Sequence, residues 1–191
     1  MKCLIITKKQ LMFAISLVLA LTITIIGSVS AFAGSDRLLP IYCVQTDKKQ
    51  IAISFDAAWG NDDTEQLISI LKEYDVPATF FVVGAWVDKY PESVKQLSDA
   101  GHQIQNHSNT HPHMPQLSCE QIKDEIESCN KKIANITGKT PTLLRPPYGD
   151  YDNKLINTMT ELNMYTIQWD VDTIDTKVMT NEYHYAIMSI V

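Results

Sequence analysis

Two imidazoles four residues apart, His107 and His111, stand in the run Asn106-His-Ser-Asn-Thr-His-Pro-His113. On one helical turn or in a tight loop, two neutral histidines at that spacing can turn ring nitrogens toward one divalent metal. Pro112 stops any helix that would carry them onward. Ser108 occupies the place of the glutamate that completes a His-Glu-x-x-His metalloprotease signature, so peptidase chemistry is not indicated. A polar loop after a strand has the same composition, and the pair needs support from the elements around it.

Those elements alternate between strand and helix signals. Gln50–Phe55 is β-branched and apolar and reads as a buried strand ending at Asp56. Asn61 and Asp62 can cap a helix whose apolar positions are Leu67, Ile70 and Leu71. Ala78–Val83 is a second strand, ended by Gly84, and Tyr90-Pro-Glu-Ser opens a helix that runs to Gly101. Gly101–Asn106 is a third strand and delivers the histidine pair. Ser118–Thr137 has the clearest helix start: Ser118 and Gln121 form a capping box, and Ile122, Ile126, Cys129, Ile133 and Ile136 make one apolar stripe ended by Gly138. Leu143–Arg145 is a short strand, Asp152–Asn163 a helix, and Met164–Val171 a fifth strand.

Strands that alternate with helices argue for parallel βα units. No Gly-rich phosphate loop follows the first strand, which counts against a nucleotide-binding doubly wound sheet. In a βα barrel the chemistry sits at the C-terminal strand ends. Here those ends carry Asp56, Gly84, His107 with His111, Arg145 and Asp172, so four of the five are chemically able.

The first 33 residues are of another kind. Lys2, Lys8 and Lys9 precede an uncharged run, Leu11–Val29, and Ala31-Phe-Ala33 offers a small-x-small cleavage site. That order predicts a secretory signal peptide or, given the length of the run, a membrane anchor, with the domain outside the cytoplasm. Residues 34–48 read as a linker and 49–191 as the domain. Residues 1–33 hold three of the sixteen basic residues and none of the twenty-two acidic ones, which leaves the exported part a net charge of −9. Without a basic patch, nucleic acid is a poor partner. Of the four cysteines, Cys3 falls in the leader, and Cys119 and Cys129 lie about 15 Å apart along one helix, too far to bond.

Four motifs in register carry a more specific signal. Ser54-Phe-Asp56, His107-Ser-x-x-His111, Arg145-Pro-Pro-Tyr-Gly149 and Asp172-Thr-x-Asp175 resemble the polysaccharide deacetylase family, the NodB homology domain of carbohydrate esterase family 4. The stretch Phe55-Asp-Ala-Ala-Trp-Gly60 is most similar to its sporulation-associated members. The resemblance implies a distorted, incomplete (β/α) barrel that removes acetyl groups from N-acetylglucosamine polymers, peptidoglycan or chitin-like. It implies a divalent metal, zinc by preference, on His107 and His111, with Asp56 as catalytic base and Arg145 aiming it. Pro146, Pro147, Tyr148 and Gly149 would form one wall of the sugar groove. Asp172 matches an aspartate that orients a later histidine in the family. Trp59 and Trp169 are expected to be core aromatics.

Two departures stand against the pattern. Ala57 replaces the second Asp of the first motif, a metal ligand in the family, and Asp62 or Asp63 would have to substitute. The family also supplies a general acid from a Leu-x-His motif, which these 191 residues do not contain; the domain is expected to be C-terminally incomplete, and His102, His113 and His184 do not match the motif. An impaired or vestigial deacetylase that only binds wall glycans is therefore the alternative expectation.

Overall fold

β1 (Ile53–Ala57), β2 (Ala78–Val82), β3 (Gln103–Asn106), β4 (Leu143–Leu144) and β5 (Tyr165–Thr166) pair in chain order, each parallel to the next. The structure, a computed structural model, describes residues 36–172 and scattered positions between 8 and 22. The leader expected over residues 1–33 lies largely outside the described residues, as do Asp175 and His184. Among the described residues no helix is long and apolar enough to cross a membrane. A doubly wound sheet reverses its strand order at a switch point; sequential order with right-handed crossovers keeps every helix on one side, as in a βα barrel. The expected parallel α/β architecture is the one found.

The α-helices interleaved with these strands are α1 (Thr64–Glu73), α2 (Gly84–Lys89), α3 (Pro91–Asp99), α4 (Cys119–Thr137) and α5 (Asn153–Glu161). Strand alternation sorts the core. Phe55, Phe80 and Val82 join Trp86, Val94 and Leu97 on the helix side. Phe81 projects to the other face and packs with Ile167, Leu143 and Trp169. α4 buries its stripe completely at Ile122, Ile126, Cys129 and Ile133. Each such aliphatic side chain contributes about 1.5–3 kcal/mol relative to exposure. Burial also pushes the Cys129 thiol up to about 12, which makes it an inert packing group whose Sγ donates to the Val82 carbonyl.

The capping box of α4 is present in both directions, Gln121 N–H to Ser118 Oγ at 3.2 Å and Ser118 N–H to Gln121 Oε1 at 2.9 Å. Gly138 closes the helix at φ 70°, where a side chain would be strained. Three expectations shift. α1 begins at Thr64 with Asp63 at its cap position, because Gly60 turns at φ 57° and delays helix entry; Asn61 instead donates to Ser93 Oγ. α2 is an additional element, too short for its three buried residues, Gly84, Trp86 and Val87, to show a helical period. β5 is shorter than 164–171: after Thr166, one rung at Ile167 pairs with Ile41, and Gln168 Nε2 turns away to the Gly149 carbonyl at 2.7 Å. The stretch read as a linker thus enters the sheet at Ile41.

His102 lies at the opposite end of the sheet from the strand C-termini, its Nδ1 accepting from Ala78 N–H at 3.4 Å. Burial holds its pKa below the ordinary 6.5. The folded chain therefore favours neutral His102 while the unfolded chain takes up the proton. Its contribution to stability is complete above about pH 6.5 and falls away as the pH drops through that value. Melting temperatures measured from pH 7.5 to 5.5 should decline more steeply for the native chain than for His102→Gln; equal slopes would exclude His102 as the source.

Candidate functional site

The C-terminal ends of β1, β3 and β4 meet around one buried cation. Arg145, directly after β4, is fully buried. Its Nη1 donates to Asp56 Oδ1 at 2.7 Å and its Nη2 to Ser54 Oγ at 2.6 Å. The guanidinium lies over the Phe81 ring at 4.2 Å and 5.8 Å from the Trp169 ring. Ser54 and Asp56 are two apart on β1 and so share a face. The arrangement fixes the Asp56 carboxylate through one oxygen and leaves Oδ2 facing His107 Nε2 at 3.8 Å.

His107 is oriented from behind. Its Nδ1 is 2.7 Å from the Arg145 carbonyl, which can only accept, so Nδ1 carries the proton and donates. In the neutral ring the Nε2 lone pair faces the Asp56 carboxylate, and two acceptors turned toward each other call for a cation between or beside them. The His111 ring lies 5.0 Å from that of His107, centroid to centroid. Two imidazoles on one tetrahedral zinc, with Zn–N bonds of about 2 Å, hold their centroids about 5 Å apart. The histidine pair therefore fits a shared metal. Among the described residues no three His, Cys, Asp or Glu side chains form a metal-holding group. Ala57 packs instead against the helix-side core. Asp63 lines a small cavity behind Asp56 and Ala57, and its burial pushes the carboxyl up.

The loop that carries the pair is bent by two non-glycine residues in the left-handed region, Ser108 at φ 66° and His111 at φ 63°. Each costs about 1–2 kcal/mol, which the surroundings offset with hydrogen bonds. Asn106 Oδ1 accepts from Ser108 N–H at 2.7 Å, and Ser108 Oγ accepts from His111 N–H at 3.0 Å. Gly84 and Ala85 donate their N–H groups to the Ser108 and Asn109 carbonyls, both at 2.9 Å. A Cβ on Gly84 would collide with Asn109 Oδ1 and come within 3.1 Å of the Asn109 Cα, so a side chain there would displace the Asn109 amide. Glu125 on α4 accepts from Asn109 and Thr110 N–H, and Lys132 donates to Asn109 Oδ1 at 2.7 Å.

The four residues expected to wall a groove differ in exposure. Pro146 and Pro147 are buried, while Tyr148 is 56% exposed at φ 60°. Its ring meets His111 edge-on at 4.7 Å and stacks on His113 at 4.1 Å, with His113 Nδ1 2.5 Å from Asp150 Oδ2. Gly149, at φ 68°, has no room for a side chain against Trp169. Trp59 corrects the core expectation: it is 46% exposed, and its ring meets His111 at 5.1 Å, opposite in kind to the half-buried Trp169. Asp172 is also corrected. It is exposed and six residues beyond the last residue of β5, Thr166, rather than at the strand end. Glu125 and Asp150 were not singled out from the sequence, and Ser54 only as part of the first motif with no role; as surface-type carboxylates the first two carry no local signal.

Comparison with known proteins agrees with this geometry. The family model described as polysaccharide deacetylase matches residues 44–167. The peptidoglycan-N-acetylmuramic acid deacetylase PdaA of Bacillus subtilis is 37% identical over 138 residues, 72% of this chain and 52% of the relative. A peptidoglycan-N-acetylglucosamine deacetylase of Bacillus cereus is 30% identical over 151 residues, 79% of this chain and 55% of the relative. The crystal structure of BA3943, a CE4 family pseudoenzyme from Bacillus anthracis, matches with a TM-score of 0.71 at 36% identity, over 74% of this chain and 50% of that one. The chain spans about half the length of the curated relatives it matches. Motifs, strand order and matched residues agree, and the chain belongs to the polysaccharide deacetylase family.

Proposed function

We propose that this domain hydrolyses N-acetyl groups from a cell-wall glycan, peptidoglycan or a chitin-like polymer of N-acetylglucosamine. The observation that carries the reading is the Asp56–Arg145–His107 array, a carboxylate fixed on one oxygen beside an imidazole whose lone pair is directed to the same space. Relatives named as peptidoglycan deacetylases support the substrate class. A divalent metal, zinc by its preference for imidazole, would be held by His107 and His111 and supply Lewis acidity to the acetamide carbonyl and to water. Asp56 takes the proton as water attacks, and Arg145 keeps that carboxylate aimed. Residues 1–33 would export or anchor the domain, and a role in sporulation follows from the resemblance of the first motif.

Trp59 and Tyr148 flank His111 with exposed rings, and apolar ring faces are what a pyranose stacks on. Trp59→Ala should weaken binding of chito-oligosaccharides about tenfold with little change in melting temperature, as read by calorimetric titration; unchanged affinity would remove Trp59 from the groove.

A second reading rests on Ala57 and on the likeness to a pseudoenzyme: a glycan-binding domain that releases no acetate. One experiment decides between them. The full chain is incubated with N-acetylglucosamine oligomers and zinc, cobalt or nickel, and acetate is quantified. Acetate release supports the deacetylase; binding without acetate under every metal supports the second reading.

A further inference from the structure

Glu125 stands on α4, sixteen residues beyond the loop it touches, and its carboxylate is committed to that loop's backbone. Oε2 accepts from two successive amides, Asn109 N–H and Thr110 N–H, both at 2.8 Å, and Oε1 accepts from Thr110 Oγ at 2.8 Å. Those two residues are the ones between Ser108 and His111, where the chain twice enters the left-handed region. From the other side, α2 holds the Ser108 and Asn109 carbonyls. The 108–110 segment is thus gripped by the Ser108 and Asn109 carbonyls from α2 and by the Asn109 and Thr110 amides from α4. Removing Glu125 releases only the second grip, and His111, one residue further on, is the group whose position then loosens.

We infer that Glu125 is a positioning residue that sets the His107–His111 geometry and so the affinity of the loop for a divalent metal. This rests on the reading of the two histidines as a metal site. The carboxylate acts through the backbone amides of Asn109 and Thr110 and through the Thr110 hydroxyl. A glutamine can replace it: its carbonyl oxygen can accept from both amides, and its NH₂ can donate to Thr110 Oγ. An alanine cannot.

The test is zinc affinity of the full 191-residue chain by competition with a chromophoric chelator, at a temperature where melting curves show each variant folded. Glu125→Ala should weaken zinc about 10–100-fold, the usual cost of losing an outer-shell partner. Glu125→Gln should recover to within a few-fold of the native chain. Glu127→Ala, which removes the same charge from an exposed position on the same helix, should leave affinity unchanged. Should Glu125→Ala fail to fold, Thr110→Val, which deletes only the bond to Oε1, should weaken zinc a few-fold. Native affinity in the folded Glu125→Ala or, failing that, the Thr110→Val variant overturns the inference. Equal losses in Glu125→Ala, Glu125→Gln and Glu127→Ala overturn it too, since they would report charge rather than position. A native chain that binds no zinc overturns the inference together with the metal reading. The predicted affinity pattern without acetate release upholds the inference and sinks only the deacetylase reading.

Discussion

Replacing Arg145 by Ala should cost about 3–5 kcal/mol of stability, the largest loss of any single substitution at this site. The side chain is fully buried, and its two terminal nitrogens are spent on Asp56 and Ser54. Truncation leaves the Asp56 carboxylate without its buried counter-charge, removes the donor to Ser54 Oγ, and opens a void beneath Phe81, over whose ring the guanidinium lies. Arg145→Lys should recover only part of the loss. One ammonium is a point charge and cannot reproduce a planar fork that bonds two partners while lying flat on an aromatic ring. Urea denaturation of the native chain and both variants measures this directly. A loss under about 1 kcal/mol for Arg145→Ala would show that the pair is structurally dispensable, against the usual cost of breaking a buried pair.

Asp56→Asn should reduce kcat/KM for acetate release from N-acetylglucosamine oligomers by about 10²–10⁴-fold, the scale of a lost general base. Asparagine keeps the size of the side chain, and its Oδ1 can still accept from Arg145 Nη1. What it lacks is an oxygen able to take a proton at the position now held by Oδ2, 3.8 Å from His107 Nε2. The comparison is made on folded protein, with the folded fraction checked at the assay temperature, since the substitution also leaves Arg145 without a full counter-charge. Unchanged turnover would remove Asp56 from the chemistry.

How much of this was legible in the sequence depends on whether the information is local. α4 could be read almost to the residue because its signals are local: Ser118 and Gln121 three apart, an apolar stripe at helical spacing, and Gly138 at the left-handed closing position. Asp56, His107, His111 and Arg145 were legible as strand-end residues, since in parallel βα units sequence position fixes which end of the sheet a residue reaches. Asp172 failed by the same logic. Its placement assumed a strand as far as Val171, whereas the ladder ends near Ile167 where Gln168 turns to Gly149. Trp59 and Glu125 were illegible for a different reason. An exposed tryptophan beside a metal-type histidine and a helix carboxylate that grips a loop are defined only by tertiary placement, and neither leaves a period, a cap or a spacing to find.

The strand order has one further consequence, for how the domain is made. Because β1 to β5 pair strictly in chain order, each new strand closes only the loop to the strand made just before it. Loop-closure entropy grows with the length of chain to be closed, so pairing each strand with its predecessor limits every closure to a single βα crossover and lets the sheet grow outward from its first βαβ unit. Among the described residues only the Ile41–Ile167 rung breaks that sequence, because it joins the segment before β1 to the residue after β5. A chain emerging N-terminus first can assemble β1 through β4 as they appear, while Ile41 waits for its partner until Ile167 has been delivered.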